Sequence, residues 1–202
     1  MGFWARLFGH SDTTVAAGKS PATAKKRAPA TRPASAPRSL RRSEFLSRED
    51  EERSFAMGPD GMPSGKLKHI GDRLVIVTDD GAGIVNPRSA RIHSLGIYCF
   101  GLRGSSYQGS AIKRGDYRPG ETVQLVREPH NEHDPNAVAV HATGAAKRGG
   151  YVNKMNAKRI ASRLDQGEEL SAISVRGDRA GKEELRPVVL VASPSVLAHL
   201  RR

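Results

Sequence analysis

The run from Thr122 to Val140, Thr-Val-Gln-Leu-Val-Arg-Glu-Pro-His-Asn-Glu-His-Asp-Pro-Asn-Ala-Val-Ala-Val, constrains the fold more than any other part of the chain. Its two ends alternate apolar and polar side chains, with Val123 and Leu125 at one and Val138 and Val140 at the other. That is the period of half-buried strands, so the middle has to be a loop. Pro129 and Pro135 fix their own φ angles and push Glu128 and Asp134 toward extended backbone, while Asn131 and Asn136 suit tight turns. Such a connection is either an ordinary hairpin loop or a device for presenting polar groups to a ligand.

The rest of the chain supplies short elements around this hairpin. Arg73 to Thr78 reads as a strand closed by the turn chemistry of Asp79-Asp80-Gly81. His93 to Arg103 reads as another, interrupted by Gly96 and Gly101, and Gly104-Ser105-Ser106-Tyr107 makes a loop carrying one exposed aromatic. After Gly149-Gly150-Tyr151-Val152, Asn153 reads as the N-cap of a short helix with Ala157, Ile160, Ala161 and Leu164 on one stripe, ended by Gly167. Leu170 to Arg176 and Pro187 to Ala192 are strand candidates, and Ser193-Pro194 opens a final helix packing Val196, Leu197 and Leu200. Together these predict a mainly β (α+β) domain over residues 66–202, a partly open β-barrel with two short helices and no β-α-β repeat.

Residues 1–52 differ in kind. From Ser11 to about Glu52 the chain is Ala, Pro, Lys, Arg, Ser and Thr without apolar period, which predicts a disordered basic tail. Residues 1–42 hold nine basic side chains against Asp12 alone, and so carry +8 of the net +12. A chain charged this way is drawn to polyanions, nucleic acid or anionic lipid alike. At the extreme N-terminus Phe3, Trp4, Leu7 and Phe8 would suit two turns of amphipathic helix on a membrane or a partner. Gly18-Lys19-Ser20 resembles the end of a P-loop, but Thr13 stands where the first glycine is required and no strand precedes it. A single cysteine, Cys99, excludes a disulfide framework and a multi-cysteine zinc site, and fits a reducing, cytoplasmic setting.

With these elements placed, the chain from about Leu95 to Leu170 resembles the HIRAN domain, found alone in bacteria and at the N-terminus of helicase-like transcription factor and Rad5-type remodellers. The matching residues are the Gly104 to Tyr107 turn, the block Val123 to Val140, and Gly150-Tyr-Val-Asn-Lys154 followed by the helix with Ala157. The resemblance implies a barrel related to OB and SH3-like folds that grips single-stranded DNA at a free 3′ end, in the cytoplasm or on the nucleoid if the source is bacterial. It implies that Asp134 accepts a hydrogen bond from the terminal 3′-hydroxyl, a task for a carboxylate because it accepts from a hydroxyl and would repel a 3′-phosphate. Asn131 would bond the terminal nucleotide or brace the loop. Tyr107 would stack on a base, Lys154 would meet a phosphate with Tyr151 on the same wall, and Arg103 and Arg127 would add backbone charge. His133, in the same loop, is a further candidate, although here the sequence departs from the pattern: the helicase-linked members often place Pro and an aromatic just before the aspartate, where this chain has Glu132 and His133. Those members also pair two aromatics where this chain has Ser106 and Tyr107, which weights the resemblance toward recognition of backbone and end. Read as plain structure, Asp134 would be a turn-forming Asx residue, Tyr107 a core side chain and Lys154 a solvated one.

Three functions follow. The first is a non-catalytic, cofactor-free, monomeric module that binds single-stranded DNA and works beside a helicase or repair partner, since no Walker motif supplies a motor. The second is a metal-dependent phosphoester hydrolase in which His130, His133 and Asp134, with His141 near in sequence, hold a divalent ion such as zinc. The third is an adaptor docking on a membrane or protein through residues 3–8.

Overall fold

The alternation at the centre of the sequence becomes a hairpin: β4 (Thr122–Arg127) pairs antiparallel with β5 (Val138–Ala142), Val123 opposite Ala142 and Arg127 opposite Val138. Val123 turns into the core, whereas Gln124 and Val126 face out. Strand β5 is buried almost throughout, because β6 (Gly150–Tyr151) covers its other edge with Ala139 opposite Tyr151. The computed structural model describes residues 44–81, 83–177 and 186–202, all within the unit Ala36–Arg202. The expectations for the basic tail up to residue 43, including the apolar segment 3–8, lie outside the described residues.

Around this hairpin six strands run in the order β3-β8-β7-β4-β5-β6, with β3 spanning Tyr98–Gly101, β7 Ser171–Arg176 and β8 Val188–Ala192. The two ends of this row meet at one point, where Arg103 just past β3 bridges Tyr151 of β6. The result is a barrel closed by a single bridge, in agreement with the expected partly open barrel. A second hairpin, β1 (Gly65–Ile70) and β2 (Arg73–Thr78), hangs on the end of β7 through Arg73 opposite Arg176. The inward faces make two cores. One gathers Phe100, Tyr117, Val138, Val140, Ile160 and Val189 under helix α4 (Lys154–Asp165). The other gathers Phe55, Ile92, Ile97, Ile173, Leu190 and Leu200 under helix α5 (Pro194–Leu200). Each fully buried aliphatic side chain here is worth about 1.5–3 kcal/mol relative to exposure.

The structure corrects the sequence reading in three places. His93 does not begin a strand: it lies in α2 (Ala90–Ser94), whose first turn is capped by the Ser89 hydroxyl accepting from the Ile92 N–H. Gly96, at φ 71°, then turns the chain into β3, so the strand is shorter than expected. Order also starts before Lys66, and the charged run at residues 48–54 forms helix α1 (Arg48–Ser54), capped by Ser47. Buried Glu51 accepts from the Asn86 N–H at 2.9 Å, and Phe55 is fully buried. Among the described residues five α-helices stand in place of two, the remaining one being α3 (Gly109–Arg114), entered through a 3-10 turn at Ser105–Gln108. Among the described residues no helix is long and apolar enough to cross a membrane.

Candidate functional site

Strands β4 and β5 hold the two ends of the 128–137 connection, and the connection is braced from within. Asn131 Oδ1 accepts from the backbone N–H of His133 at 3.0 Å and of Asp134 at 3.3 Å. Asp134 Oδ1 accepts from the Asn136 N–H at 2.8 Å, and the Ala137 N–H donates to the Asp134 carbonyl at 2.9 Å. These are nested Asx turns, the geometry that Asn and Asp favour. Asp134 is therefore a turn former, yet this uses one carboxylate oxygen; the other, Oδ2, has no hydrogen-bond partner among the described residues.

A second layer ties the loop to the barrel wall. Tyr151 Oη donates to Glu128 Oε2 at 3.0 Å, and Asn131 Nδ2 donates to the same oxygen at 2.8 Å and to Tyr151 Oη at 3.3 Å. Arg148 completes the set, with Nη1 3.7 Å from Glu128 Oε1 and its guanidinium 4.9 Å from the Tyr151 ring centre. Partial burial pushes the Tyr151 phenol above its ordinary range, and the hydrogen bond to Glu128 and that residue's negative charge push the same way. The phenol is thus held as a donor, which fixes the loop against β6.

On the far side of Tyr151 lies the Gly104–Tyr107 turn. Arg103 and Tyr151 exchange two backbone hydrogen bonds, 2.8 and 2.9 Å. Gly104, left-handed at φ 70°, sits close enough that a Cβ there would lie 4.0 Å from Tyr151 Cδ2. The Tyr107 N–H donates to the Gly104 carbonyl at 3.0 Å and its side chain is 90% exposed, so Tyr107 is not core. Lys154, exposed, is the first residue of α4, directly after Asn153, whose Oδ1 caps the helix by accepting from the Asn156 N–H at 3.1 Å. Hydrogen bonds and close approach thus link Asn131, Asp134 and Tyr151 to the Arg103–Tyr107 turn, with Lys154 three residues along the chain from Tyr151. Arg127 stands apart. Its guanidinium forms a two-bond ion pair with Asp165 (2.9 and 3.1 Å) and donates to the Ala137 carbonyl, joining β4 to α4.

The family model of the HIRAN domain matches residues 95–186, the span that contains this loop, this wall and this turn. Residues 95–186 are a HIRAN domain. Among solved structures, the chain is similar to the HIRAN domain of human HLTF, at 20% identity over 52% of this chain and 83% of that one, with a TM-score of 0.38. It is also similar to a protein from Lactobacillus plantarum, at 24% identity over 48% of this chain and 99% of that one, with a TM-score of 0.36. No curated protein matches the chain.

Two residues of the HIRAN domain that sequence reasoning passed over prove central, Glu128 and Arg148. Glu128 could have been suspected from its place before Pro129, which holds it extended at the mouth of the loop. Arg148 gave no signal, since a basic residue in a Gly-rich turn reads as solvated. The metal-binding alternative finds no geometry: among the described residues no three of His, Cys, Asp and Glu are placed to hold an ion. His130 and His133 are exposed on the loop, and His141 lies elsewhere on the barrel, opposite Gln124 with Nδ1 3.2 Å from the Ala145 carbonyl.

Proposed function

We propose that the HIRAN domain of this chain is a nucleic-acid binding module that takes single-stranded DNA at a free 3′-hydroxyl end. The observation that carries this reading is the half-buried Asp134 carboxylate, held by its own Asx turn with one oxygen to spare. An acceptor of this kind, in a loop that also holds the Glu128 carboxylate, favours a hydroxyl and disfavours a phosphate at the same spot.

The neighbours fit that role. Tyr107 offers an exposed ring for a terminal base, a contact worth about 1–3 kcal/mol and tolerant of sequence. Lys154 stands at a helix N-terminus, where a cation is disfavoured by about 0.3–1 kcal/mol, so its place is better explained by an external anion than by helix stability. Asn131 braces the loop, and Arg103, exposed beside the turn, supplies charge for the backbone. His133 is exposed at the loop tip, within reach of the same end. The basic residues of the first 42 positions add affinity without sequence preference. On this reading the chain binds and presents ends without catalysis or cofactor, acts as a monomer, and relies on a helicase or repair partner for work on the strand. Arg127, occupied by Asp165, is left out.

End recognition has a direct test. A linear oligonucleotide and its circularised form, identical in sequence, share every phosphate and base but only one has a 3′ end. The full chain is expected to bind the linear form at least tenfold more tightly; equal affinity would remove the end from the proposal and leave backbone binding alone.

A further inference from the structure

The bridge that closes the barrel is short, and beyond it the wall is open. After Tyr151 the Val152 N–H still reaches the Val138 carbonyl, but Asn153 then caps α4 and the chain leaves the sheet. Strand β3 is consequently paired on one edge only, by β8, among the described residues. The Leu102 N–H donates toward β8, to the Pro187 carbonyl, whereas Arg103 turns its backbone to Tyr151. By the alternation of an antiparallel ladder, Gly101 and Cys99 direct their N–H and C=O groups to the open side as well. Here lies a groove of 430 Å3.

Among the described residues its charged lining is of one sign. Arg88, Arg103 and Arg186 border it together with His93 and with Asn153 and Asn156 of the α4 entry, and none of the described Asp or Glu residues does. Among the described residues no carboxylate pairs with Arg88, Arg103 or Arg186. Arg88 comes from the segment before α2, Arg103 from just past β3 and Arg186 from the approach to β8, so three separate parts of the chain bring cations to one seam. Arg88 and His93 also precede the residues matched by the family. Arg103 borders this groove and also opens the turn beside the proposed end site, and Asn153 borders it one residue before Lys154, so the groove adjoins that site.

We propose that this seam is a second subsite, independent of sequence, that holds the phosphodiester backbone of the strand leading away from the 3′ end. It rests on the reading of the end pocket given above. Planar guanidinium groups match phosphate oxygens two at a time, and the N–H groups of Cys99 and Gly101 add donors along the floor. From Cys99 to Arg103 the strand spans about 13 Å at ~3.3 Å per residue, room for several consecutive phosphates. The unpaired edge of β3 would also suit an extended acidic peptide, but a peptide site would have no reason to run into the end pocket.

The test compares short and long ligands on the full chain carrying Arg88→Gln and Arg186→Gln together, both at exposed positions. Anisotropy titrations use a thymidine dinucleotide and a ten-residue oligothymidylate, each with a 3′-hydroxyl, across a range of salt. The ten-residue ligand should lose about tenfold or more in affinity, and its log–log salt slope should flatten by about 1.4, the value for two fewer phosphate contacts on a single strand. Dinucleotide affinity and the preference for 3′-hydroxyl over 3′-phosphate should not change. The double change to Lys should recover most of the slope, showing that charge and not folding was lost. An unaltered slope and ten-residue affinity would overturn the seam while leaving the end pocket untouched. A flattened slope in a protein that shows no 3′ preference would uphold the seam and refute the pocket. Binding of a glutamate-rich decapeptide more tightly than the oligothymidylate, abolished by the double change, would make the seam a peptide site and overturn the proposal.

Discussion

Arg103 and Tyr151 exchange the two backbone hydrogen bonds that close the barrel, and the same two residues stand between the end loop and the exposed ring of Tyr107. Closure of the fold and assembly of the site are therefore one event. The loop reaches Tyr151 through Glu128 and Asn131, and the turn reaches it through Arg103 and Gly104.

The close approach at this bridge depends on Gly150. A Cβ there would lie 2.7 Å from the Arg103 carbonyl oxygen and 3.0 Å from Leu102 Cβ, contacts a real side chain does not tolerate. Gly150→Ala is expected to destabilise the domain by about 1–3 kcal/mol, as forced overpacking does, and to weaken nucleic-acid binding with it. Urea denaturation checks the first expectation; an unchanged midpoint would mean the bridge is not needed for closure.

Glu128 should be readable through its neighbour. Because the Tyr151 pKa is raised by burial and then by Glu128, the phenol form is favoured in the fold over the unfolded chain. The stability this contributes is complete below the ordinary tyrosine value of 10.0 and is lost as pH rises through the higher folded value. Phenolate absorbance should show two tyrosines titrating late in the wild type, buried Tyr117 and Tyr151, and Glu128→Gln should bring the midpoint of Tyr151 alone down without removing the part due to burial, which a Tyr117→Phe background makes readable. A midpoint indifferent to this change would break the proposed link between loop and wall.

Arg127 and Tyr107 should separate structure from binding. Arg127→Ala removes a partly exposed ion pair and a bond to the Ala137 carbonyl, an expected loss of about 1 kcal/mol in stability with no change in ligand preference. Tyr107→Ala should leave stability within about 0.5 kcal/mol, since the side chain is almost fully exposed, and weaken oligonucleotide binding by about 1–3 kcal/mol. Thermal melts and titrations on the two variants should give opposite patterns; a shared pattern would mean one residue has been given the other's role.

What could be read from the sequence followed local periodicity. The β4–β5 hairpin announced itself by alternation, α4 by the Asn153 cap and its apolar stripe, and the loop by its prolines and Asx residues. The elements that escaped have their cause far along the chain. Helix α1 reads as a solvated charge run, but Glu51 is buried because the Asn86 N–H, 35 positions away, satisfies it. Helix α2 is only five residues long and runs straight into the apolar stretch of β3, so no helical period had room to show. Glu128 meets Tyr151 across 23 positions, and no pattern within either segment foretells that hydrogen bond. The seam was invisible for the same reason, since its three arginines come from separate elements.

The most direct measurement concerns Asp134. Asn is nearly isosteric and its oxygen can still accept from the Asn136 N–H, so Asp134→Asn should keep the turn while removing the charge. Matched oligonucleotides ending in a 3′-hydroxyl or a 3′-phosphate should differ in affinity by at least tenfold for the wild-type chain, in favour of the hydroxyl, and by less than twofold for Asp134→Asn. A wild-type chain that binds both ends equally, or a variant that keeps the full preference, would contradict the role assigned to this carboxylate.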